Sequence, residues 1–578
     1  MEFKALRKNL KKDYSKFKKI KVAIVADWAV QILGQAIRGY GYEKKLDIQL
    51  YEAAYDQMEP ELLDPSSELY KFEPDYILMF PCVEKFHEKY CSLTDKITAG
   101  DIEFERIKVL CDNIAINSNA KVLLCNYCEI NDGVYGNYAS YFEESFLYNQ
   151  RRLNRGIAAL ANENSHVYML DIQLLQNEYG RKNITDDRLY YISKTIFKME
   201  FIPVIAEEIV SVINVLSGKI KKCLITDLDN TLWGGVIGDD GIEGIQIGSM
   251  GIGGAFSDLQ RWIKELSQRG VAIAVCSKNN EDIAKEPFEK HKEMILKLED
   301  ISVFIANWED KVANIKAIQQ ILNIGFDSMV FIDDNPFERD MVKEMLPEVT
   351  VPDLPEDPTK YLTYLSSLNL FETVNISKED KKRTQLYREE AGRNKLKNMA
   401  SNIDEYLNSL DMKAIVKPFD SYSLPRVAQL SQRSNQFNLR TKRYTEQDVE
   451  RIIAMPEKYF TMTVDLKDKF GEYGIICIVI LEKIDEKTLF LDTMLMSCRV
   501  LKRTVEEFVF NQIVLKAKQQ GFEIILGEYL PTPKNSMVKD LLGKYDFKLK
   551  KESEKADEWE LTIEDYETKK TFVEAENE

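Results

Sequence analysis

Short apolar runs recur along the first third of the chain, each bounded by polar or turn-forming residues. KVAIVA (21–26), DIQLYEA (47–53), DYILMF (75–80), KVLLCNY (121–127) and VYMLDI (167–172) read as buried strands. Amphipathic segments such as 101–118 and 189–214 lie between them or follow. This alternation predicts a parallel sheet covered on both faces over about 1–215.

The alternation resumes over about 216–370 with CLIT (223–226), VAIAVC (271–276), VFIA (303–306) and MVFI (329–332). It stops at VPDLPEDPTKY, where Pro352, Pro355 and Pro358 exclude regular helix. A charged stretch follows, and Ser377 with Asp380 forms an S-x-x-D helix start, so 371–410 is expected to be a helical connector. From 411 to 565, YFTMTVDL, YGIICIVILEKI and LFLDTMLMSC predict strands, and about 503–520 predicts a long helix. Residues 566–578 read as a frayed acidic tail. With 578 residues the chain exceeds one core. The expected architecture is α/β in three domains.

Composition narrows the possible functions. There is no run of about 18 apolar residues, so no membrane insertion is expected. The opening MEFKALRKNLKKDYSKFKKIK reads as a solvated amphipathic helix rather than a targeting peptide, and the expected location is cytoplasmic. A formal net charge of −17 argues against a nucleic-acid partner. The nine cysteines are read as reduced thiols, and Cys125 and Cys128 have no second pair to complete a zinc site. Only His87, His166 and His291 could offer imidazole, so any metal is expected to be held by oxygen.

Chemistry concentrates where four predicted strands end. CLIT runs into Asp227-Leu228-Asp229-Asn230-Thr231, VAIAVC into Ser277, VFIA into Asn307-Trp308-Glu309-Asp310-Lys311, and MVFI into Asp333-Asp334-Asn335. Ligands of an open parallel sheet bind outside the carboxyl ends of its strands, so these groups are expected to meet in one crevice. Any one Asp at a strand end is more often a cap or turn former. The set suits phosphoryl transfer, which needs an in-line nucleophile, a cation and a proton donor. Asp227 is the expected nucleophile and Asp229 the acid/base. Ser277 and Lys311 are expected to hold phosphoryl oxygens. Thr231, Asn279 and Asn335 are further candidates for substrate contact. Asp333 and Asp334 crowd Asp227 with negative charge and, with Asp227 and the backbone carbonyl of Asp229, suggest Mg²⁺.

The segments CLITDLDNTLWGGVIGDDGIEGIQIG, CSKNN, ANWEDK and VFIDDNPFERD resemble the FkbH-like branch of the haloacid dehalogenase (HAD) superfamily. The resemblance implies a Rossmann-like HAD domain at 216–370 and the roles above for Asp227, Asp229, Ser277, Lys311, Asp333 and Asp334. It also implies a mobile flap at Trp233–Gly241, for which a plain hairpin at Asp239-Asp240-Gly241 is the competing reading. FkbH-like proteins are associated with loading a glyceryl unit from a phosphorylated glycerate onto an acyl carrier protein, which makes such a carrier an expected partner.

The flanks resemble the domains attached to this family. Region 1–215 is similar to SGNH hydrolases, with a flavodoxin-like α/β sheet. It ends its first strand in Asp27-Trp28 rather than Ser, and 186–191 holds no His, so a non-catalytic role is expected. Asn131–Tyr138 is a turn-rich loop that could line a cleft. Region 411–565, through Asn435–Asn438, MSCRVLKRT and GEYLPTPKNSMV, resembles a GNAT-like mixed α/β acyltransferase. In its Arg499–Thr504 stretch, Lys502 and Thr504 replace the two glycines of an acyl-CoA loop. Cys498, with Arg499, Lys502 and Arg503 close in sequence, is the candidate acyl acceptor; Cys276 is its competitor. Two alternatives remain: a stand-alone phosphatase acting on a sugar phosphate or related intermediate of polysaccharide biosynthesis, and a non-catalytic assembly scaffold.

Overall fold

A computed structural model describes residues 2–374, 376, 383–433, 437–532, 535–553 and 555–576. The chain divides into two compact units, residues 1–222 with 363–377, and residues 223–362 with 378–578. Among the described residues no helix is long and apolar enough to cross a membrane.

The first unit is built on β1 (Lys18–Ala26), β2 (Leu46–Glu52), β3 (Tyr76–Phe80), β4 (Lys121–Cys125) and β5 (Val167–Leu170). All are parallel, in the order β2-β1-β3-β4-β5 of flavodoxin-like sheets. Every residue of β3 is buried, which is why these strands read as continuous apolar runs rather than alternating ones. The helix Ala99–Asn117 lies where spacing places it. The stretch 189–214 is not one helix. Asp187–Ser193 stops at Lys194 in a left-handed conformation, Thr185 bridges Phe197, and a new helix runs Ile202–Leu216 with Pro203 in its first turn. The first helix, Phe3–Asn9, is not merely solvated: Leu6 is fully buried and Asn9 donates to the Gly39 carbonyl at 3.0 Å.

The second unit carries two sheets. One contains β6 (Cys223–Thr226), β7 (Ala272–Ser277), β8 (Val303–Ala306) and β9 (Met329–Ile332), all parallel in the order β8-β7-β6-β9. The chain steps outward from β6 to β8 and then crosses back beside β6 to form β9. The carboxyl end of β6 therefore lies at the point where strand order reverses. Cys223, Ile225, Ala274, Phe331 and Ile315 pack in one core on a single side of this sheet. Gly251, Gly253 and Gly254 lie in the first turn of the helix Gly251–Arg269. At Gly253 a Cβ would stand 3.0 Å from the Ile247 backbone, so this close approach requires glycine.

The other sheet contains β10 (Met412–Lys417), β11 (Tyr459–Asp468), β12 (Gly471–Lys483), β13 (Thr488–Met496), β14 (Ile524–Tyr529), β15 (Lys548–Lys551), β16 (Asp557–Thr562) and β17 (Val573–Ala575). Its order is β15-β16-β14-β13-β12-β11-β10-β17, with parallel pairs at β13/β14 and β10/β17. The helix Val505–Gln519 falls where the sequence places a long one. The acidic tail is not simply frayed: Val573, nearly buried, pairs beside Met412 in an edge strand. The helix start at Ser377 and Asp380 lies outside the described residues. The rest of the connector forms helices Arg383–Met399 and Ile403–Ser409. Arg393, almost wholly buried, fastens the first of these to Asp468 of β11 at 2.7 Å.

Candidate active site

β6 ends one residue before Asp227, and the chain turns at once. Asn230 takes a left-handed conformation, which asparagine tolerates, so Thr231 folds back beneath the strand tip. Thr231 is fully buried; its hydroxyl accepts the Asp334 backbone N–H at 3.1 Å and reaches the Asp334 carboxylate at 3.4 Å. The first motif and the one after β9 are thereby fastened together. Carboxylate oxygens of Asp227, Asp333 and Asp334 come within 4.8 Å of one another.

Lys311 is the counter-charge. It is the first residue of the helix Lys311–Leu322, where a cation opposes the helix dipole, and it is nearly buried. Its ammonium sits 2.9 Å from Asp227 and also pairs with Asp333. Burial pushes its pKa down, but the two carboxylates outweigh burial and the net shift is upward. Burial and the Asp227 charge both raise the carboxyl of Asp333, and they raise Asp334 likewise. Three carboxylates share one lysine, and the buried Asp227 Oδ1 has no hydrogen-bond partner among the described residues. Hard oxygen donors with excess negative charge fit a divalent cation.

Asp229 is held apart from this cluster. Its Oδ1 accepts from the Trp233 indole N–H at 2.9 Å and the Ile237 backbone N–H at 3.0 Å. Its Oδ2 accepts from the Asn279 side chain at 3.2 Å. Burial raises its carboxyl above the usual range, against the lowering effect of these donors. Ser277, which ends β7, is nearly buried.

Several expectations change here. Among the described residues the carboxylates of Asp227, Asp333 and Asp334 converge, and the Asp229 side chain lies apart, so its expected contribution stays with the backbone carbonyl. Asn279 engages Asp229. Asn335 is exposed, and its side chain caps the helix Pro336–Met345 by accepting the Phe337 N–H at 3.0 Å. Asp239-Asp240-Gly241 is not a hairpin turn. It lies in the short helix Ile237–Gly244, kinked at Gly241, within a loop that Gly234 and Gln246 close by pairing.

Sequence reasoning assigned no role to Arg339 or Glu338. Arg339 Nη1 donates to the carbonyls of both Asp333 and Asp334 at 2.7 Å, fixing the turn that presents their carboxylates. Glu338 pairs with Lys278 at 2.6 Å, beside Ser277. The available signal was a pair of charged residues one helical turn after Asp334, at positions where a helix start is otherwise solvated.

The flanking candidates fare differently. Asp186 caps the helix Asp187–Ser193, accepting from Arg188 and Leu189. Cys498 lies two residues beyond β13, in the short 3₁₀ turn Cys498–Val500; its side chain is outside the described residues. Arg503 is not free to serve a thiolate, since it is nearly buried against Tyr473 and Glu390. Lys502 and Thr504 both take left-handed conformations, with φ of 62° and 59°, so the loop keeps a backbone that suits glycine although neither residue is glycine. The Glu506 carboxylate accepts the Lys502 backbone N–H at 3.0 Å, at the start of the helix Val505–Gln519. Burial pushes the Cys276 thiol up to about 12, which disfavours it as a nucleophile.

Residues 21–214 match the family described as FkbH, N-terminal domain. The crystal structure of the N-terminal part of the protein BF1531 from Bacteroides fragilis, containing a phosphatase domain and complexed with Mg, is 45% identical to this chain. That comparison covers 65% of this chain and 100% of the other, with a TM-score of 0.62. The ribosomal-protein-S18-alanine N-acetyltransferase from Escherichia coli is 12% identical, covering 26% of this chain and 94% of its own, with a TM-score of 0.21. The spermidine N-acetyltransferase from Vibrio cholerae, in complex with CoA and spermine, is 9% identical, covering 27% and 98%, with a TM-score of 0.22. No curated protein sequence matches the chain.

Proposed function

Because this chain belongs to the FkbH-like family of HAD-type phosphatases, we propose that it hydrolyses a small phosphorylated acid through an aspartyl-phosphate on Asp227. The observation that carries this reading is the convergence of Asp227, Asp333 and Asp334 around Lys311, with Asp229 held separately by neutral donors. Asp227 attacks phosphorus while the bond to the leaving oxygen breaks, and Asp229 gives that oxygen its proton. Asp229 then takes a proton from water as the water cleaves the acyl phosphate. Lys311 and Ser277 hold phosphoryl oxygens as negative charge shifts among them. Mg²⁺, held by Asp227, Asp333, Asp334 and the backbone carbonyl of Asp229, would supply Lewis-acid neutralisation of the phosphoryl group.

The family resemblance favours a glycerate-like substrate phosphorylated on its carboxyl and on a hydroxyl. A thiolate would attack the carbonyl as the carboxyl phosphate leaves, the thioester would pass its acyl unit to the thiol of a carrier protein, and Asp227 would remove the hydroxyl phosphate. Eight cysteines have described side chains; seven are buried and only Cys91, in the first unit, is exposed. Cys498, with Arg499 and Lys502 close in sequence, is the proposed acceptor. The direct test is phosphate release from candidate phosphorylated acids with intact-protein mass spectrometry. A mass gain of one phosphoryl group is expected to map to Asp227, and turnover in Asp227→Asn should fall by at least about 10⁴-fold. Near-normal turnover in that variant would overturn the reading.

A further inference from the structure

A general acid has to carry its proton on the oxygen that faces the leaving group. Each carboxylate oxygen has two lone-pair sites. Both sites of Asp229 Oδ1 are taken, by the Trp233 indole N–H at 2.9 Å and the Ile237 N–H at 3.0 Å. Among the described residues Oδ2 accepts from Asn279 alone, at 3.2 Å, and so has room for a proton.

The indole cannot easily drift. Trp233 is fully buried, its ring meets Phe288 edge-on at 5.9 Å, and its backbone forms a bridge with Asp229 itself. The preceding carbonyl, of Leu232, is held at 2.8 Å by the buried Gln260 amide. A buried indole N–H needs an acceptor, and here that acceptor is the carboxylate of Asp229.

We propose that Trp233 is a positioning residue for proton transfer: with the Ile237 N–H it fills Oδ1 of Asp229 and confines the acid's proton to Oδ2. The proposal rests on the role given to Asp229 above. In the step concerned, the Asp227 carboxylate forms a bond to phosphorus, the bond from phosphorus to the leaving oxygen breaks, and the Oδ2 proton moves to that oxygen. The products are an alcohol, an acyl phosphate on Asp227 and an ionised Asp229. Without the indole donor, Oδ1 regains a free lone pair and the proton can rest on the oxygen turned toward Trp233 and Ile237.

The test compares the wild-type protein, Trp233→Phe, and protein carrying benzothienylalanine at 233, in which sulfur replaces the N–H while ring shape is kept. Each is assayed in Mg²⁺ with p-nitrophenyl phosphate, whose leaving group departs without a proton, and with 2-phenylethyl phosphate, whose leaving group needs one. General acid catalysis contributes about 10²–10⁴-fold. The kcat/KM for 2-phenylethyl phosphate should therefore fall about 50-fold in both altered proteins. That for p-nitrophenyl phosphate should fall less than about threefold. The benzothienylalanine protein keeps the test decisive where Trp233→Phe fails to fold. Equal losses on the two esters, or no loss on either, overturn the role of Trp233 and leave the phosphatase reading standing. Wild-type protein that cleaves neither ester removes both.

Discussion

Asp334→Asn should change stability in opposite directions depending on whether Mg²⁺ is present. Without a cation, Asp334 adds a negative charge to a cluster that has one lysine for three carboxylates. At a separation of at most 4.8 Å from Asp227, the repulsion is about 3.5 kcal/mol at an effective dielectric constant of about 20. Attraction to Lys311 and solvent screening at this half-buried site reduce the net relief to on the order of 1 kcal/mol. The asparagine keeps the shape and the bond to Thr231, so the variant should melt slightly above wild type in chelator. With Mg²⁺ the order reverses. At a concentration one hundred times its dissociation constant, a bound ion stabilises the wild type by about 2.7 kcal/mol. Losing a ligand that weakens binding roughly 10- to 100-fold cuts that gain to between about 1.4 and 0.4 kcal/mol. Differential scanning fluorimetry in EDTA and in Mg²⁺ reads both effects, with a shift of roughly 5–10 °C expected for wild type and about half of that or less for the variant. A variant less stable than wild type in EDTA, or stabilised equally by Mg²⁺, would refute the placement of the ion among these carboxylates.

Other outcomes follow from the flanking regions. Burial, with Glu372, Glu207 and Glu178 adding to it, raises Glu208 from about 4.5 to about 7. The unfolded chain then ionises before the folded one, so stability should fall between about pH 4.5 and pH 7. Glu208→Gln should lack this dependence, gaining on the order of 1 kcal/mol over wild type at pH 8 relative to pH 5, read as a difference in melting temperature. The first unit should not label with a fluorophosphonate; modification of a serine before Gly218 would contradict its reading as non-catalytic. Cys498→Ser should retain phosphate release and lose carrier loading in an acyl-transfer assay, and unchanged loading would eliminate that thiol.

The sequence was most legible where burial is symmetric. Strands such as Tyr76–Phe80 and Met329–Ile332 are buried at every position and read as continuous apolar runs, and Asp333, which follows the second, marks the edge of the candidate site. The Asp227, Lys311 and Asp333 grouping could be foreseen because strand order and helix crossovers bring strand ends together. What could not be read depends on partners far along the chain. The break at Lys194 comes from a local left-handed residue and a bridge from Thr185 to Phe197, neither of which disturbs amphipathic spacing. The strand at 573–575 is only three residues long within a polar, acidic tail and is defined by the free edge of β10. Arg339 acts on two backbone carbonyls, and such a role has no signature in residue type alone.

The division of labour proposed for Asp227 and Asp229 is argued from their surroundings rather than from their order in the motif. The two residues are separated by a single leucine, yet one carboxylate faces a buried ammonium at 2.9 Å while the other faces an indole, a backbone amide and a side-chain amide. The Lys311 ammonium beside Asp227 offsets the negative charge of the carboxylate proposed to attack. Neutral donors compensate burial only in part, and the Asp229 carboxyl is accordingly shifted upward, with burial as the main cause. One carboxylate set against a fixed positive charge and another set among neutral donors support assigning the first as attacking group and the second as proton carrier.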